Sequence, residues 1–189
     1  MSYPKTFLII VTGRPAAGKS TLASWLSKEL YLPVISKDSV REILFDQLGW
    51  KDREWARQLG HVSIELMFYF TQAQLASGNS IILDNAFHPD LTTPRVLALK
   101  AQTDAEIIQI ICNAKSETLF QRFMERANSG NRHPGHGDFE VQEELLQHLN
   151  RECPLMMNVG GKQIELNTTD FSTLDYSEVL KVVKDYMKR

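Results

Sequence analysis

The feature that most constrains this chain is a glycine-rich loop that lies between an apolar segment and an amphipathic one. Residues 13–20, GRPAAGKS, fit the pattern G-x-x-x-x-G-K-S/T. Residues 7–12, FLIIVT, form a continuous apolar run, which is typical of a strand buried on both faces of a parallel sheet. Apolar side chains then recur at helical spacing over residues 19–30. A buried strand, this loop and a helix in succession predict a phosphate-binding P-loop.

The residues of this loop have separate expected roles. Successive backbone N–H groups turn inward around phosphate oxygens, and the dipole of the following helix favours the anion. Lys19 is expected to reach the β- and γ-phosphates, Ser20 to ligate Mg²⁺, and Thr21 to add a hydroxyl to the α-phosphate. ATP and Mg²⁺ are therefore the predicted cofactors. The predicted nucleotide-binding residues of the loop are Gly13, Arg14, Ala16, Ala17, Gly18, Lys19, Ser20 and Thr21.

Strands and helices alternate along the whole chain. Apolar runs predict strands at about residues 7–12, 33–36, 80–84, 105–112 and 163–166. Helical periodicity and capping residues predict helices at about residues 19–30, 37–48, 52–77, 94–102, 116–127, 138–150 and 173–187, with Asp138 as the cap of the sixth. The alternation predicts an α/β fold, the three-layer sandwich of P-loop NTPases, with a five-stranded parallel sheet, helices on both faces and a lid. Ligands are expected at the carboxyl ends of the strands.

The longest predicted helix carries an apolar stripe. The side chains that form it along residues 52–77 are Trp55, Leu59, Val62, Leu66 and Phe70. They recur at the spacing of one helix face. We expect this face to pack in the core rather than to bind a ligand.

Length and composition limit the classes of function. With 189 residues, the chain is predicted to be one domain, residues 1–189. Its 21 Lys and Arg against 23 Asp and Glu argue against a general nucleic-acid binder, because tight binding to phosphate backbones needs excess positive charge. No apolar run is long enough for a membrane span, so a cytoplasmic protein is expected. Cys112 and Cys153 lack the spacing of a zinc site or a disulfide framework, which predicts reduced thiols.

Two features of the sequence favour a kinase over the other classes of P-loop protein. A guanine-specific switch protein would carry an N-K-x-D motif, which is not found in this sequence. An ATPase usually places a glutamate beside its second carboxylate, whereas the predicted strand SIILD ends in Asp84 and is followed by Asn85. A site without that glutamate suits an enzyme that excludes water and transfers the phosphoryl group elsewhere. Asp84 could hold Mg²⁺ or contact the acceptor, or it could simply begin a turn.

Asp38 and Arg41 are the candidates for the acceptor side. They stand three residues apart at the start of a predicted helix, so both project towards the carboxyl ends of the strands. Asp38 could accept the proton of an acceptor hydroxyl, while Arg41 neutralises charge on the transferring group or on the acceptor. The alternative is that the two side chains pair with each other, or that Asp38 only favours the helix dipole.

A basic helix end and a flexible loop predict a lid. Arg122 and Arg126 lie four apart on one helix face, and the Gly-, Asn- and Pro-rich residues 128–137 follow them. We expect a lid at about residues 126–139 that excludes water and brings arginine to the developing charge. The alternative is a solvated basic face and a surface loop. The loop residues whose role is left open are Arg132, His133 and His136.

These motifs resemble small P-loop kinases related to polynucleotide kinase, zeta toxin and chloramphenicol phosphotransferase, often described as AAA-domain proteins. The resemblance covers most of the chain and rests on the segments GRPAAGKST, ISKDSVR, SIILDNAF and QRFMERANSGNRHPGH. It implies that Asp38 is the general base and that Arg41 touches phosphate. It also implies that Arg126, with Arg122, is the lid arginine, and that Thr168 and its neighbours border the nucleotide base.

The sequence thus predicts an ATP- and Mg²⁺-dependent phosphotransferase that moves the γ-phosphate to a hydroxyl group of a small molecule. Its predicted catalytic residues are Lys19, Asp38, Arg41 and Arg126, and its predicted metal ligands are Ser20 and Asp84. One alternative is an ATP-binding switch or ATPase without a small-molecule acceptor. Another is a polynucleotide 5′-hydroxyl kinase, which is not favoured because residues 37–57 carry five basic and five acidic side chains. The acceptor and the oligomeric state are left open.

Overall fold

A five-stranded parallel sheet forms the centre of the chain in a computed structural model, which describes residues 5–151 and 155–188. Its strands are β1 (Phe7–Gly13), β2 (Val34–Ser36), β3 (Ile81–Asp84), β4 (Glu106–Asn113) and β5 (Lys162–Asn167). They pair in the order β2-β3-β1-β4-β5, so β1 is the central strand. Val11 lies level with Asp84, and Gly13 lies level with Cys112. The loop after β1 therefore emerges at the middle of the carboxyl edge.

Among the residues that the structure describes there are seven α-helices. They are α1 (Lys19–Leu30), α2 (Lys37–Leu48), α3 (Arg53–Ala76), α4 (Pro89–Thr103), α5 (Ser116–Asn128), α6 (Gln142–Leu149) and α7 (Tyr176–Met187). Six of them pack on the two faces of the sheet, and α2 packs against α3. Side chains of β1 alternate between two cores, because successive residues of a strand point to opposite faces. Leu8 and Ile10 pack with α3 and α4, and Ile9 and Val11 pack with α1, α5, α6 and α7. The predicted three-layer α/β sandwich is confirmed.

Three helix starts differ from the prediction. Helix α4 begins at Pro89 rather than near Pro94, because proline is well suited to the first helical position. Helix α6 begins at Gln142 rather than after a cap at Asp138, because the Asp138 carboxylate is used in ion pairs. Helix α7 begins at Tyr176, where Asp175 is the cap and accepts a hydrogen bond from the N–H of Ser177 at 2.8 Å.

The predicted buried stripe of α3 is correct only in part, since Leu59 is buried and Trp55 and Leu66 are half-buried. Val62 and Phe70 are 44% and 49% exposed. The buried side is formed by Leu59, Gly60, Ser63, Met67, Phe68, Thr71 and Leu75. Small and hydroxylic residues can be buried here because Ser63 and Thr71 each donate a hydrogen bond to the carbonyl four residues earlier, at 2.7 Å. Counting only large apolar residues therefore placed Val62 and Phe70 on the buried face in error.

Within the described residues, no helix is long and apolar enough to span a membrane. Cys112 is a buried free thiol. Cys153, the other cysteine predicted to be reduced, lies outside the described residues.

Gly161 lets β5 enter the sheet close to β4. Its φ is +79°, and a Cβ placed there would lie 2.1 Å from the carbonyl oxygen of Ile107. Gly78, which follows α3, has the same φ of +79° with no neighbouring atom within 4 Å of such a Cβ. The two glycines therefore share one backbone conformation but differ in close contact.

We expect Gly161→Ala to destabilise the protein more than Gly78→Ala. A left-handed backbone costs a residue with a side chain roughly 1–2 kcal/mol, and this cost is common to both variants. The clash with a backbone oxygen of β4 is added only at Gly161. Urea unfolding followed by circular dichroism measures both free energies, and equal losses would contradict the close approach of the two segments.

Candidate functional site

The glycine-rich loop turns sharply from β1 into α1. Gly13 has φ +142°, and a Cβ there would lie 1.9 Å from the carbonyl oxygen of Cys112 in β4. Gly18, with φ +80°, is the N-cap of α1. The ammonium of Lys19 donates a hydrogen bond across the loop to the carbonyl of Arg14 at 2.8 Å. The first N–H groups of a helix lack partners within it, so this turn offers an anion a helix N-terminus and a lysine.

A cavity of about 210 Å³ opens beside this loop, and we call it the phosphate cavity. The loop, the first residues of α2, the end of β3 and the region of the predicted lid all contribute to its wall. The charged and hydroxyl side chains that line it are Lys19, Ser20, Ser36, Lys37, Asp38, Asp84, Arg126 and Arg132. The fold therefore brings six of the sequence-predicted site residues, Ala16 among them, from distant parts of the chain to one cavity.

Burial shifts the pKa of two charged groups in the phosphate cavity. It lowers the pKa of Lys19, against the attraction of nearby carboxylates, chiefly Asp84. It raises the pKa of Asp84, against the effect of the Ser20 hydroxyl and the Lys19 ammonium. Oδ1 of Asp84 is buried and has no hydrogen-bond partner among the described residues. An orphaned carboxylate oxygen near a serine hydroxyl fits the oxygen ligands that Mg²⁺ requires.

Asp38 is paired with Arg132 rather than with Arg41. Nη2 of Arg132 lies 3.0 Å from Oδ2 of Asp38. Burial opposes ionisation of Asp38, but neighbouring cations, Arg132 foremost, outweigh it and lower the pKa of this carboxyl group. Arg41 instead donates a hydrogen bond from Nη2 to the carbonyl of Ala56 at 2.9 Å. Its side chain lines a neighbouring cavity and not the phosphate cavity.

Two histidines attach the lid segment, residues 129–141, to α2. Nε2 of His136 lies 2.7 Å from Oε1 of Glu42, and Nε2 of His133 lies 3.2 Å from Oδ1 of Asp46. Burial, with Arg132 nearby, lowers the pKa of His136 although Glu42 opposes this shift. The lid segment therefore packs against the middle and the end of α2.

Aromatic packing on Phe45 fixes the same contact. The ring of His133 stacks on that of Phe45 with centroids 5.2 Å apart and planes at 18°. A Cβ at Gly135 would lie 2.6 Å from the Phe45 ring, so the backbone of the lid segment touches the ring directly. Trp50 approaches His133 edge-on at 5.0 Å.

Asp138 joins the two arginines of the lid region. Its Oδ2 lies 3.6 Å from Nη2 of Arg126 and 3.3 Å from Nε of Arg132. Asp138 is only 8% exposed. A buried carboxylate between two guanidinium groups offsets their mutual repulsion, so Asp138 holds both near the phosphate cavity.

Arg122 and Thr168 stabilise the loop after β5. Arg122 donates hydrogen bonds to the carbonyl oxygens of Thr168 at 2.7 Å and Thr169 at 2.9 Å. The hydroxyl of Thr168 donates to the carbonyl of Asn113 at 3.2 Å, and the residue is buried. The side chain of Thr168 is therefore turned into the protein, away from any ligand at the loop surface.

Arg14 and Phe171 also lie near the glycine-rich loop, but the Arg14 side chain points away from it and the Phe171 ring packs against it. Arg14 extends to the end of α6, where it donates to the carbonyl oxygens of Leu149 at 2.8 Å and Arg151 at 3.0 Å. Only the backbone of Arg14 is left to face the loop interior. Phe171 lies against Gly18, where an added Cβ would be 2.8 Å from its ring, and the guanidinium of Arg122 lies 3.6 Å over the same ring.

Sequence reasoning missed three residues of this region. Lys37 stands beside Asp38 in ISKDSVR and lines the phosphate cavity. Phe171, 44% exposed, is the aromatic residue that follows the predicted base-binding segment. Asp138 was predicted as a cap. The one signal for Lys37 was its position next to a predicted catalytic residue, whereas the ring contact and the ion pairs depend on distant segments.

The chain is similar to a known protein family and to solved structures. Residues 8–154 match the family model described as AAA domain. The chain belongs to this AAA-domain family. A protein from Chloroflexus aurantiacus, provisionally assigned as a kinase, has a solved structure with a TM-score of 0.85. It is 33% identical, and the match covers 97% of this chain and 98% of that one.

Two more distant solved structures share the fold alone. A sugar kinase from Janibacter sp. matches with a TM-score of 0.58 and 14% identity over 98% of this chain and 95% of that chain. A shikimate kinase from Bacteroides thetaiotaomicron matches with a TM-score of 0.53 and 16% identity over 97% and 99%. The chain therefore has the fold of small P-loop kinases, as the sequence predicted.

Among curated proteins, an uncharacterized protein of Mycobacterium tuberculosis is 29% identical over 127 residues. The match covers 64% of this chain and 26% of that protein. The chain thus spans about a quarter of the length of the curated relatives it matches.

We expect Gly135→Ala to loosen the lid segment. Its Cβ would enter the Phe45 ring, and an overpacked contact is relieved by movement of the less constrained partner, here the lid segment. Hydrogen exchange of amides in residues 129–141 should become faster. Asn131→Ala, at an exposed position of the same segment, is the control. Unchanged exchange in Gly135→Ala would contradict docking of the lid segment on Phe45.

Proposed function

We propose that this protein is an ATP- and Mg²⁺-dependent phosphotransferase whose acceptor is a hydroxyl group of a small molecule. The observation that carries the proposal is the phosphate cavity, where a P-loop lysine and serine face one carboxylate, Asp84, and stand opposite a second, Asp38. The AAA-domain family and the 33% identical relative provisionally assigned as a kinase support the same reaction class. In the reaction, the acceptor oxygen bonds to the γ-phosphorus, and the bond from that phosphorus to the β–γ bridging oxygen breaks.

The donor side uses the loop and the lid region. Backbone N–H groups of the loop and the ammonium of Lys19 bind the phosphates. The hydroxyl of Ser20 and the orphaned Oδ1 of Asp84 hold Mg²⁺, which neutralises phosphate charge when bound. Arg126 of α5 and Arg132 of the lid segment add positive charge to the cavity wall. The transition state is loose, so these charges and their placement supply most of the catalysis.

The acceptor side centres on Asp38. Its lowered pKa keeps the carboxylate ionised at neutral pH, so it can orient the acceptor hydroxyl by accepting its hydrogen bond. The proton passes to Asp38 as the new bond forms and leaves to solvent with the product. Because Asp38 is paired with Arg132, the same arginine links the acceptor side to the charge of the transferring group.

The base of the nucleotide is proposed to lie near Phe171. This ring is exposed, stacks under Arg122 and adjoins the loop at Gly18. Flat aromatic and guanidinium surfaces bind bases by stacking. The peptide groups of residues 167–169, rather than the buried Thr168 side chain, border this position.

The central test compares Asp38→Asn with Asp46→Asn on the same helix. Release of ADP is measured with and without hydroxyl compounds that include nucleosides, sugars, aminoglycosides and 5′-hydroxyl oligonucleotides. Asp38→Asn should bind ATP normally but lose about 10²–10⁴ in transfer, the usual contribution of a general base. Asp46 pairs with His133 away from the phosphate cavity, so its variant measures the loss that comes from loosening the lid segment alone, which should be much smaller. Lys19→Ala should abolish turnover.

Two results would overturn this proposal. Full transfer activity in Asp38→Asn removes its role as general base. Binding of ATP without stimulation of ADP release by any hydroxyl compound removes the phosphotransferase and leaves an ATP-binding switch or an ATPase.

Asp84→Asn should raise the Mg²⁺ concentration needed for half-maximal ADP release. The amide removes a negative charge and one oxygen from the proposed ligand set, which weakens binding of a hard divalent cation. Asp90→Asn, at the exposed start of α4, is the matched control. Identical Mg²⁺ dependence in wild type and Asp84→Asn would assign Asp84 to another role.

A further inference from the structure

We infer that the acceptor lies in a second cavity, between α3 and the loop after β3, and that it is a compact, largely apolar hydroxyl compound with one anionic group. This inference rests on the phosphotransferase proposed above and specifies the class of its acceptor. The cavity has a volume of about 240 Å³, and we call it the α3 cavity. Sites for drug-sized ligands measure roughly 300–1,000 Å³, so a smaller molecule fits.

The α3 cavity joins the phosphate cavity directly. Lys37, Asn85 and Ala86 line both of them. Asp38 follows Lys37 in α2, so a molecule in the α3 cavity can present a hydroxyl group to Asp38. The backbone of the shared wall is anchored to β1, because the N–H of Asn85 donates to the carbonyl of Val11 at 3.3 Å. The junction between the two cavities is thus built on the central strand.

The wall of the α3 cavity is mostly apolar. Its apolar side chains are Ile64, Phe68, Ala86, Phe87 and Leu91. Phe68 and Phe87 meet edge-on with centroids 6.4 Å apart. Arg95 covers the Phe68 ring at 4.1 Å and is neutralised by two hydrogen bonds to Glu65, at 2.7 and 2.8 Å. An acceptor body without charge suits this wall.

Lys37 supplies the one unpaired charge of the α3 cavity. Its ammonium makes no hydrogen bond or ion pair with any residue that the structure describes. Burial lowers the pKa of Lys37, although Asp38 nearby opposes the shift. A partly buried ammonium without a partner is costly, and an anionic group on a ligand removes that cost. This is the reason to expect one carboxylate or a similar anion on the acceptor.

A third cavity, beneath the lid segment, is the competing location. It measures about 390 Å³, and Arg41, Lys51, Arg53 and Arg57 are its basic residues outside the lid. A phosphorylated acceptor would favour that cavity. It shares only Arg132 with the phosphate cavity, and that side chain is held by Asp38. Arg53 and Arg57 are already paired, with Glu144 and Glu54.

The test uses four variants and three probes. Leu91→Trp places bulk at the mouth of the α3 cavity, and Leu97→Trp places the same bulk on an exposed part of α4 that does not line it. Lys37→Met removes the charge of the α3 cavity, and Lys51→Met removes one from the cavity beneath the lid. The probes are 4-(hydroxymethyl)benzoate, its neutral amide and glucose 6-phosphate. Acceptor KM, ATP KM and kcat are measured from ADP release.

The benzoate should be the best of the three acceptors. Leu91→Trp should raise its KM at least about tenfold without changing the KM for ATP, and Leu97→Trp should leave both unchanged. Lys37→Met should raise the KM for the benzoate about 10–100-fold, the loss expected for one hydrogen bond to a charged group, and leave the KM for the amide unchanged.

Two outcomes overturn the inference while the phosphotransferase stands. One is preference for glucose 6-phosphate with loss in Lys51→Met and none in Leu91→Trp, which puts the acceptor beneath the lid segment. The other is an equal loss of kcat for benzoate and amide in Lys37→Met, which assigns Lys37 to the transferring phosphoryl group. If ATP binds but neither these probes nor the wider set of hydroxyl compounds accepts phosphate, the proposed function itself fails, and the inference with it.

Discussion

The close approach of β1 to β4 at Gly13 is the contact on which the site depends. The backbone of Gly13 lies against the carbonyl of Cys112, where any side chain would collide with it. From that point the loop turns into α1, and the next residue of β4, Asn113, accepts hydrogen bonds from the N–H and the hydroxyl of Thr168. Arg122 of α5 donates a hydrogen bond to the carbonyl of Thr168 and so ties the loop after β5 to α5. One glycine contact thus aligns the loop, the ends of two strands and the helix that leads to the lid segment.

Charged side chains are concentrated in the phosphate cavity, and their burial lowers the stability of the folded protein. Lys19, Lys37, Arg126 and Arg132 line it, against Asp38 and Asp84. Burial of like charges is unfavourable unless each has a counter-charge, and Asp138 supplies one from the edge of the cavity. The positive charge of Lys19, Arg126 and Arg132 is what a polyphosphate would neutralise. We therefore expect this arrangement of charges to be more stable with a nucleotide bound than in the protein alone.

Local patterns in the sequence were enough to predict the positions of the strands and of the glycine-rich loop. The strands lie within one residue of the prediction at either end, and the apolar runs are clearest for β1, β3 and β4, which are buried along nearly their whole length. The orientation of α3 was missed because hydroxyl groups that bond to their own helix can be buried as readily as leucine. The pairing of Asp38 with Arg132 joins residues 94 positions apart, and no local pattern records such a contact. The α3 cavity likewise exists only once α3 packs beside the loop after β3.

The cysteine beneath the glycine-rich loop has a practical consequence. Burial raises the pKa of the Cys112 thiol to about 12, so it stays protonated at neutral pH, and the thiolate is the form that reacts. Maleimides, iodoacetamide and peroxide should therefore leave it untouched in the folded protein. A spin label or fluorophore can be attached to a cysteine introduced in the lid segment once Cys153 is replaced, with Cys112 kept in place. The opening of the lid segment then becomes measurable without altering the loop.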